Sequence, residues 1–225
     1  MLGHIYESGL LGKEREKKAF KMFDFASAQG YETAQKNLAS LYKDGKGCKK
    51  NTFEAFRLFE LAANKGDASA QNSLADCYDE GTGCEKNLKL SFHYYEMAAD
   101  QGNSSAQNNL AYAYQKSRGC KKDLPKAFLL FKRAAENGSV SAYLNLANCY
   151  EYGTGCLENL DLAFHYTKIA AEKGSLNAIM RLAIHYEKGI GCEENKKKAI
   201  QLFIEANEKG HPRAEAELNR LLGKK

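Results

Sequence analysis

Cys77-Tyr78-Asp79-Glu80-Gly81-Thr82-Gly83-Cys84 decides the fold, because the chain prints this stretch again at a fixed interval. Tyr-x-x-Gly-x-Gly-Cys stands at Tyr42–Cys48, Tyr78–Cys84, Tyr150–Cys156 and Tyr186–Cys192. Tyr114–Cys120 repeats it with Ser117 in place of the first glycine. Each copy lies on a 36-residue lattice with no gap. A period of this length means stacked supersecondary units that share one core, and it overrides any domain count drawn from length. The opening Tyr6–Gly9 falls on the same lattice, with Leu11 and Gly12 where Gly and Cys would be.

Outward from the motif, residues 67–102 serve as the template. Asp67 follows Gly66 and can cap a helix, and its column continues as Asn103, Ser139 and Ser175. All are residues whose side-chain oxygen accepts a free N–H of the first turn. Ala70, Leu74, Ala75 and Tyr78 then recur at helical spacing, and the same columns repeat in every copy. Gly81 stands where a left-handed residue ends a helix. A short connector leads to Asn87, whose column Asn51, Asp123, Asn159 and Asn195 caps a second helix. Its stripe is Leu88, Ser91, Phe92, Tyr95, Ala98 and Ala99, closed by Gly102. Pro125 falls in the first turn of its helix, where a missing N–H costs little. The fold class is therefore all-α, a solenoid of helix–turn–helix pairs. Pairs are expected at 31–66, 67–102, 103–138, 139–174 and 175–210, with a partial repeat at 1–30 and a capping helix at 211–225. Leu2, Gly3 and Tyr6 fit the latter half of a truncated first helix.

These residues resemble the Sel-1-like repeat, a relative of the tetratricopeptide repeat with a longer connector. The matching pattern is Ala-x-x-x-Leu-Ala-x-x-Tyr-x-x-Gly-x-Gly, then Asn/Asp with Lys-Ala and aromatic pairs, then Ala-Ala-x-x-Gly. It covers essentially the whole chain. The departures are the Cys column, Thr167 in a usually aromatic column, and Ser117 for glycine. The resemblance implies a right-handed α-α superhelix that binds a protein or peptide and acts as a scaffold or adaptor. Members are often joined to other domains, so a module of a larger signalling enzyme, such as one fused to a protein kinase domain, is the alternative.

Composition narrows the field. The chain of 225 residues carries a net charge of only +5, too little for a nucleic-acid footprint without clustering on one face. Glu85, Glu158, Glu193 and Glu194 interrupt the lysines of the connectors. No apolar run of about 18 residues is present, so no membrane span is expected, and no signal peptide is visible at the N-terminus. Seven cysteines are an odd number. Cys48, Cys84, Cys120, Cys156 and Cys192 share a column whose members lie a repeat apart, too far for disulfides, which need Cα atoms within about 7 Å. Cys77 with Cys84, and Cys149 with Cys156, could approach across the glycine turn, but three cysteines would then be left over. Reduced thiols in a cytoplasmic, monomeric protein are the expectation, with the column read as small buried apolar side chains.

Catalytic and cofactor chemistry finds little support. Ser40-Leu41-Tyr42-Lys43 has Ser-x-x-Lys spacing, but the companion motifs are missing and no other repeat keeps it. His4, His93, His165, His185 and His211 form no zinc spacing. Gly45–Lys50 lacks the phosphate-loop spacing. No enzyme activity, cofactor or metal is expected.

The remaining candidate is the variable ladder of the first helices, which lines the concave face in related superhelices. By register it takes Asn72, Asp76, Asp79 and Glu80, then Asn108, Tyr112, Gln115 and Lys116, then Leu144, Asn148, Glu151 and Tyr152, then Met180, Ile184, Glu187 and Lys188. Its acidic start and apolar end suggest a partner segment with a basic end and an apolar end.

Overall fold

The computed structural model describes residues 2–223, with side chains from Gly12 onward, so the packing expected of Leu2, Gly3 and Tyr6 lies outside the described residues. Among the described residues there are twelve helices and no strand. They are α1 (Leu2–Ala28), α2 (Glu32–Asp44), α3 (Thr52–Asn64), α4 (Ala68–Glu80), α5 (Leu88–Asp100) and α6 (Ser104–Lys116). Then come α7 (Leu124–Glu136), α8 (Val140–Tyr152), α9 (Leu160–Glu172), α10 (Leu176–Lys188), α11 (Lys196–Glu208) and α12 (Ala214–Leu221). Consecutive pairs pack as a solenoid.

Each boundary has the chemistry expected of it. Asp67, Ser139 and Ser175 accept from the third residue of their first helices, and Asn51, Asn87, Asp123, Asn159 and Asn195 do so for the second helices. Gly45, Gly81, Gly153 and Gly189 take left-handed backbone and close the first helices. At α4 the N–H groups of Gly81 and Thr82 both donate to the Cys77 carbonyl, at 2.8 and 2.9 Å. Ser117 occupies the same left-handed position with φ 57° and no glycine to relieve it.

The second glycine of the motif has a separate reason. A Cβ on Gly83 would sit 2.1 Å from the carbonyl oxygen of Thr52, at the start of the preceding second helix. Gly47, Gly119, Gly155 and Gly191 meet Glu16, Leu88, Leu124 and Leu160 in the same way, at 2.0–2.3 Å. No side chain fits there, so the connector lies directly on the previous pair.

The start of the chain differs from the lattice. A turn is expected at Gly9–Gly12, yet α1 runs unbroken through it. The lattice places Leu11 at the second-glycine position and Arg15 at the N-cap position, so neither the close connector nor the cap can form. The latter half of α1 still acts as a second helix, since Gly47 seats on Glu16 and Phe20 meets Tyr42 edge-on at 5.2 Å.

Two compact units emerge. One holds the residues up to 106 together with 118–121, and the other holds 107–117 and the residues from 122 on. Segment 118–121 joins the first because Gly119 packs on the Leu88 carbonyl. In the first unit α2 packs on α3, α3 on α4 and α4 on α5; in the second the chain of contacts runs α7, α8, α9, α10, α11, α12. The core is alanine at the close approaches, with large side chains filling the remainder. Phe59, Phe131 and Phe203 are buried at 1, 1 and 0% exposure. Of the stripe aromatics in α5, Tyr95 is buried at 7% exposure and Phe92 is only half-buried. The equivalent Phe56, Phe128 and Phe164 meet the motif tyrosines Tyr78, Tyr150 and Tyr186 edge-on at 5.3–5.4 Å.

The cysteine column also differs from expectation. Cys48, Cys84, Cys156 and Cys192 are half-buried rather than buried, and each thiol points at the carbonyl seven residues back, 3.4–3.6 Å away. Those carbonyls already accept backbone N–H groups of the turn, as the Cys77 carbonyl does from Gly81 and Thr82. The thiols add a weak further donor at the same place.

Candidate functional site

The first-helix ladder is best developed in the second unit, where α8, α10 and the approach to α12 enclose a groove of about 400 Å³. Leu144, Met180, Ile184 and Ile190 give it an apolar surface, and Tyr152, Asn177, His211 and Arg213 add polar or aromatic groups. Tyr152 is 66% exposed, whereas Met180 is only 5% exposed and belongs as much to the core as to the surface.

Beside the apolar surface lies a polar cluster. Arg181 donates to the Glu151 carboxylate from Nε and Nη2, at 3.2 and 2.9 Å, to the Tyr152 hydroxyl at 3.2 Å, and to Asn148. Its guanidinium also stands 5.7 Å from the Tyr152 ring centroid. His185 is fully buried, stacks on Phe164, and has Nε2 3.1 Å from Glu151. Burial pushes the His185 pKa down against the pull of Glu151, so this contact is a hydrogen bond from a neutral ring to a carboxylate. Burial alone would raise the Glu151 carboxyl, but Arg181, Tyr152 and His185 outweigh it and hold it below the usual carboxylate range. The remaining nitrogen of His185, Nδ1, is buried without a hydrogen-bond partner.

The repeat lattice explains why the cluster forms here. Thr167 stands in the column of Tyr95, and Asn148 in that of Asp76. In the earlier repeat the Tyr95 hydroxyl donates to Asp76 at 2.6 Å. Thr167 is too short to do the same, its hydroxyl is buried without a partner, and Arg181 reaches Asn148 instead. His185 likewise breaks the column that holds Cys77 and Cys149.

At the rim, His211 Nε2 lies 3.3 Å from the Asn177 side-chain oxygen, and its Nδ1 accepts from the Arg213 backbone N–H at 3.2 Å. The Arg213 guanidinium is 72% exposed and stands 3.7 Å from Glu217, a carboxylate already bonded to Arg220 at 2.8 Å.

Elsewhere the ladder is occupied by internal bonds. Within the first unit Arg118 forks onto Asp79 with contacts of 2.7–3.0 Å, so that carboxylate is paired. Asp76 accepts from Tyr95 and Asn72, and burial raises its pKa although the Tyr95 bond opposes this. Glu80 is exposed and takes a bond from the Thr82 hydroxyl at 3.2 Å. In the second unit Asn108 accepts from Asn145 at 2.8 Å, Tyr112 is exposed and Gln115 is partly exposed. The structure thus brings Leu144, Tyr152, Met180 and Ile184 together, with Asn148 beside them through Arg181. Sequence reasoning missed Asn177, Arg181, His185, Ile190, His211 and Arg213; the broken columns at Thr167 and His185 were the available signal.

Other motifs stay quiet. The Ser40 hydroxyl is exposed and bonds back to the Lys36 carbonyl at 3.2 Å. Among the described residues no group of three or more His, Cys, Asp and Glu converges as a metal site, and no helix is long and apolar enough to cross a membrane.

The Sel1 repeat profile matches residues 1–31, 33–67, 68–103, 104–139, 140–175 and 176–211. The chain belongs to the Sel1 repeat family. No curated protein matches its sequence. Among solved structures, a Sel1 repeat protein from Oxalobacter formigenes is 28% identical, with a TM-score of 0.87, and the match covers 99% of this chain and 89% of that one. The protective antigen c5321 of uropathogenic Escherichia coli is also 28% identical, with a TM-score of 0.76, covering 91% of this chain and 44% of that one. An immunity protein from Pseudomonas aeruginosa, Pa5087, shares the fold at 19% identity and a TM-score of 0.56, over 84% of this chain and 73% of that one. Sel1 repeats generally serve as protein-interaction modules, and the family and these neighbours are generally non-catalytic.

Proposed function

We propose that this chain is a non-enzymatic scaffold that holds a partner protein segment against the face made by its first helices. The observation that carries the reading is the groove between α8 and α10. Its Leu144, Tyr152, Met180 and Ile184 lie in columns that vary from repeat to repeat, while the stacking columns do not. Apolar and aromatic groups in a concave site are what partner side chains anchor on. A cytoplasmic, reducing setting suits Cys77 and Cys149, free thiols buried in the core.

Photo-crosslinking tests the reading. A benzophenone side chain at position 152 should capture a partner in cells that express the protein, and one at position 129 should not. Leu129 is 62% exposed on a second helix, so access is comparable. Crosslinking only from position 129 would move the site to the second helices.

A further inference from the structure

We propose that the groove between α8 and α10 takes an acidic, apolar peptide segment, with a bulky apolar side chain on Ile184 and Leu144 and a carboxylate on Arg213. The proposal rests on the scaffold reading above and assigns the chemistry of the partner. It also reverses the sign expected from the acidic residues of the ladder, because the Asp79 carboxylate is already bound by Arg118.

Charge is the first argument. The groove is lined by the cations Arg181 and Arg213 and the single carboxylate Glu151. Arg181 and Glu151 satisfy each other at 2.9 Å. Arg213 is left at the rim, 3.7 Å from a carboxylate that Arg220 already holds at 2.8 Å. A guanidinium so placed can fork onto an incoming carboxylate at little cost in broken bonds. An arriving ammonium would find no free carboxylate in the groove.

The second argument is size. The groove volume of about 400 Å³ suits one or two side chains, not a folded surface.

The test is selection from a random heptapeptide library displayed on phage against the full chain. The expected consensus places Asp or Glu within two residues of Leu, Ile, Met or Phe. The best peptide, made synthetically, should weaken by about tenfold in Arg213→Ala and in Ile184→Ala, as anchor contacts do, with the melting curve of each variant checked against the parent. Arg213→Lys should restore part of the loss, since it returns the charge without the fork. A consensus that is basic or lacks a carboxylate overturns the proposal. So does equal binding by Arg213→Ala; if that peptide is instead lost in Tyr112→Ala, the first-helix scaffold reading stands and only this chemistry falls. No enrichment over an unrelated protein overturns it, as does a dimer of the chain that Ile184→Glu dissolves, which would make the occupant a second copy.

Discussion

The Gly83 Cα lies so close to the Thr52 carbonyl that a Cβ on Gly83 would fall 2.1 Å from its oxygen. Gly81, two residues earlier, has the same φ of 78° but would meet nothing nearer than 3.4 Å. The two glycines of one motif therefore do different work: the first turns the chain, the second lets one pair lie on the next.

That contrast is measurable. Gly81→Ala and Gly102→Ala should each cost about 1–2 kcal/mol, the strain of a left-handed alanine. Gly83→Ala should cost roughly 2–5 kcal/mol, because a backbone clash adds an overpacking penalty. Urea unfolding of the three variants decides it, and equal losses would contradict the close-approach account.

Ser117 carries the strain that glycine avoids elsewhere, at φ 57°. Ser117→Gly should therefore stabilise the chain by about 1 kcal/mol, since a non-glycine residue there is disfavoured by that order. The denaturation midpoint would rise. A fall would show that the serine side chain makes up for its backbone.

Much of this architecture was legible because it repeats. The caps, the left-handed glycines and the alanine stripes are local, and each copy votes for the same reading. The purpose of Gly83 was not legible, since its contact is with Thr52 on the preceding pair. Nor was the fate of Asp79, which depends on Arg118, 39 residues away. Long side chains choose partners across repeats, and column patterns carry no rotamers. Which aromatic of the second-helix stripe goes deepest was not legible either: Phe56 and Phe59 share the stripe, and only packing shows that Phe59 is the buried one at 1% exposure.

Phe59→Ala should accordingly cost about 3–5 kcal/mol, as large-to-small changes in packed cores do. Phe92→Ala should cost less, because the ring is only half-buried. Equilibrium unfolding of both variants gives the order, and the reverse order would contradict the assigned core.

His185 should make stability depend on pH. Its folded pKa is lowered by burial, so on acidification the unfolded chain takes up its proton first. Stability is then lost as pH falls from about 6.5, the ordinary histidine value, toward the lower folded value. Glu151, held low, acts in the same direction at more acid pH. His185→Gln keeps an N–H donor for Glu151 and should flatten the profile between pH 7 and pH 5, about where histidine titrates. A parallel offset of the two profiles would show that His185 does not titrate differently on folding.

Cys77 and Cys149 are pushed up to about 12 by burial, so almost no thiolate exists at neutral pH. Mass spectrometry of iodoacetamide-treated native protein should find both unmodified until urea unfolds the chain. Modification at the rate of an exposed thiol would contradict their burial.

Hydrogen–deuterium exchange of the full chain, with and without a peptide enriched by it from a random library, tests the central claim most directly: that the first helices of the second unit hold the partner. Protection is predicted in 144–152, 177–190 and 211–215, the segments that form the groove. Protection confined to the second helices, 124–136 and 160–172, with the groove segments unchanged, would contradict it.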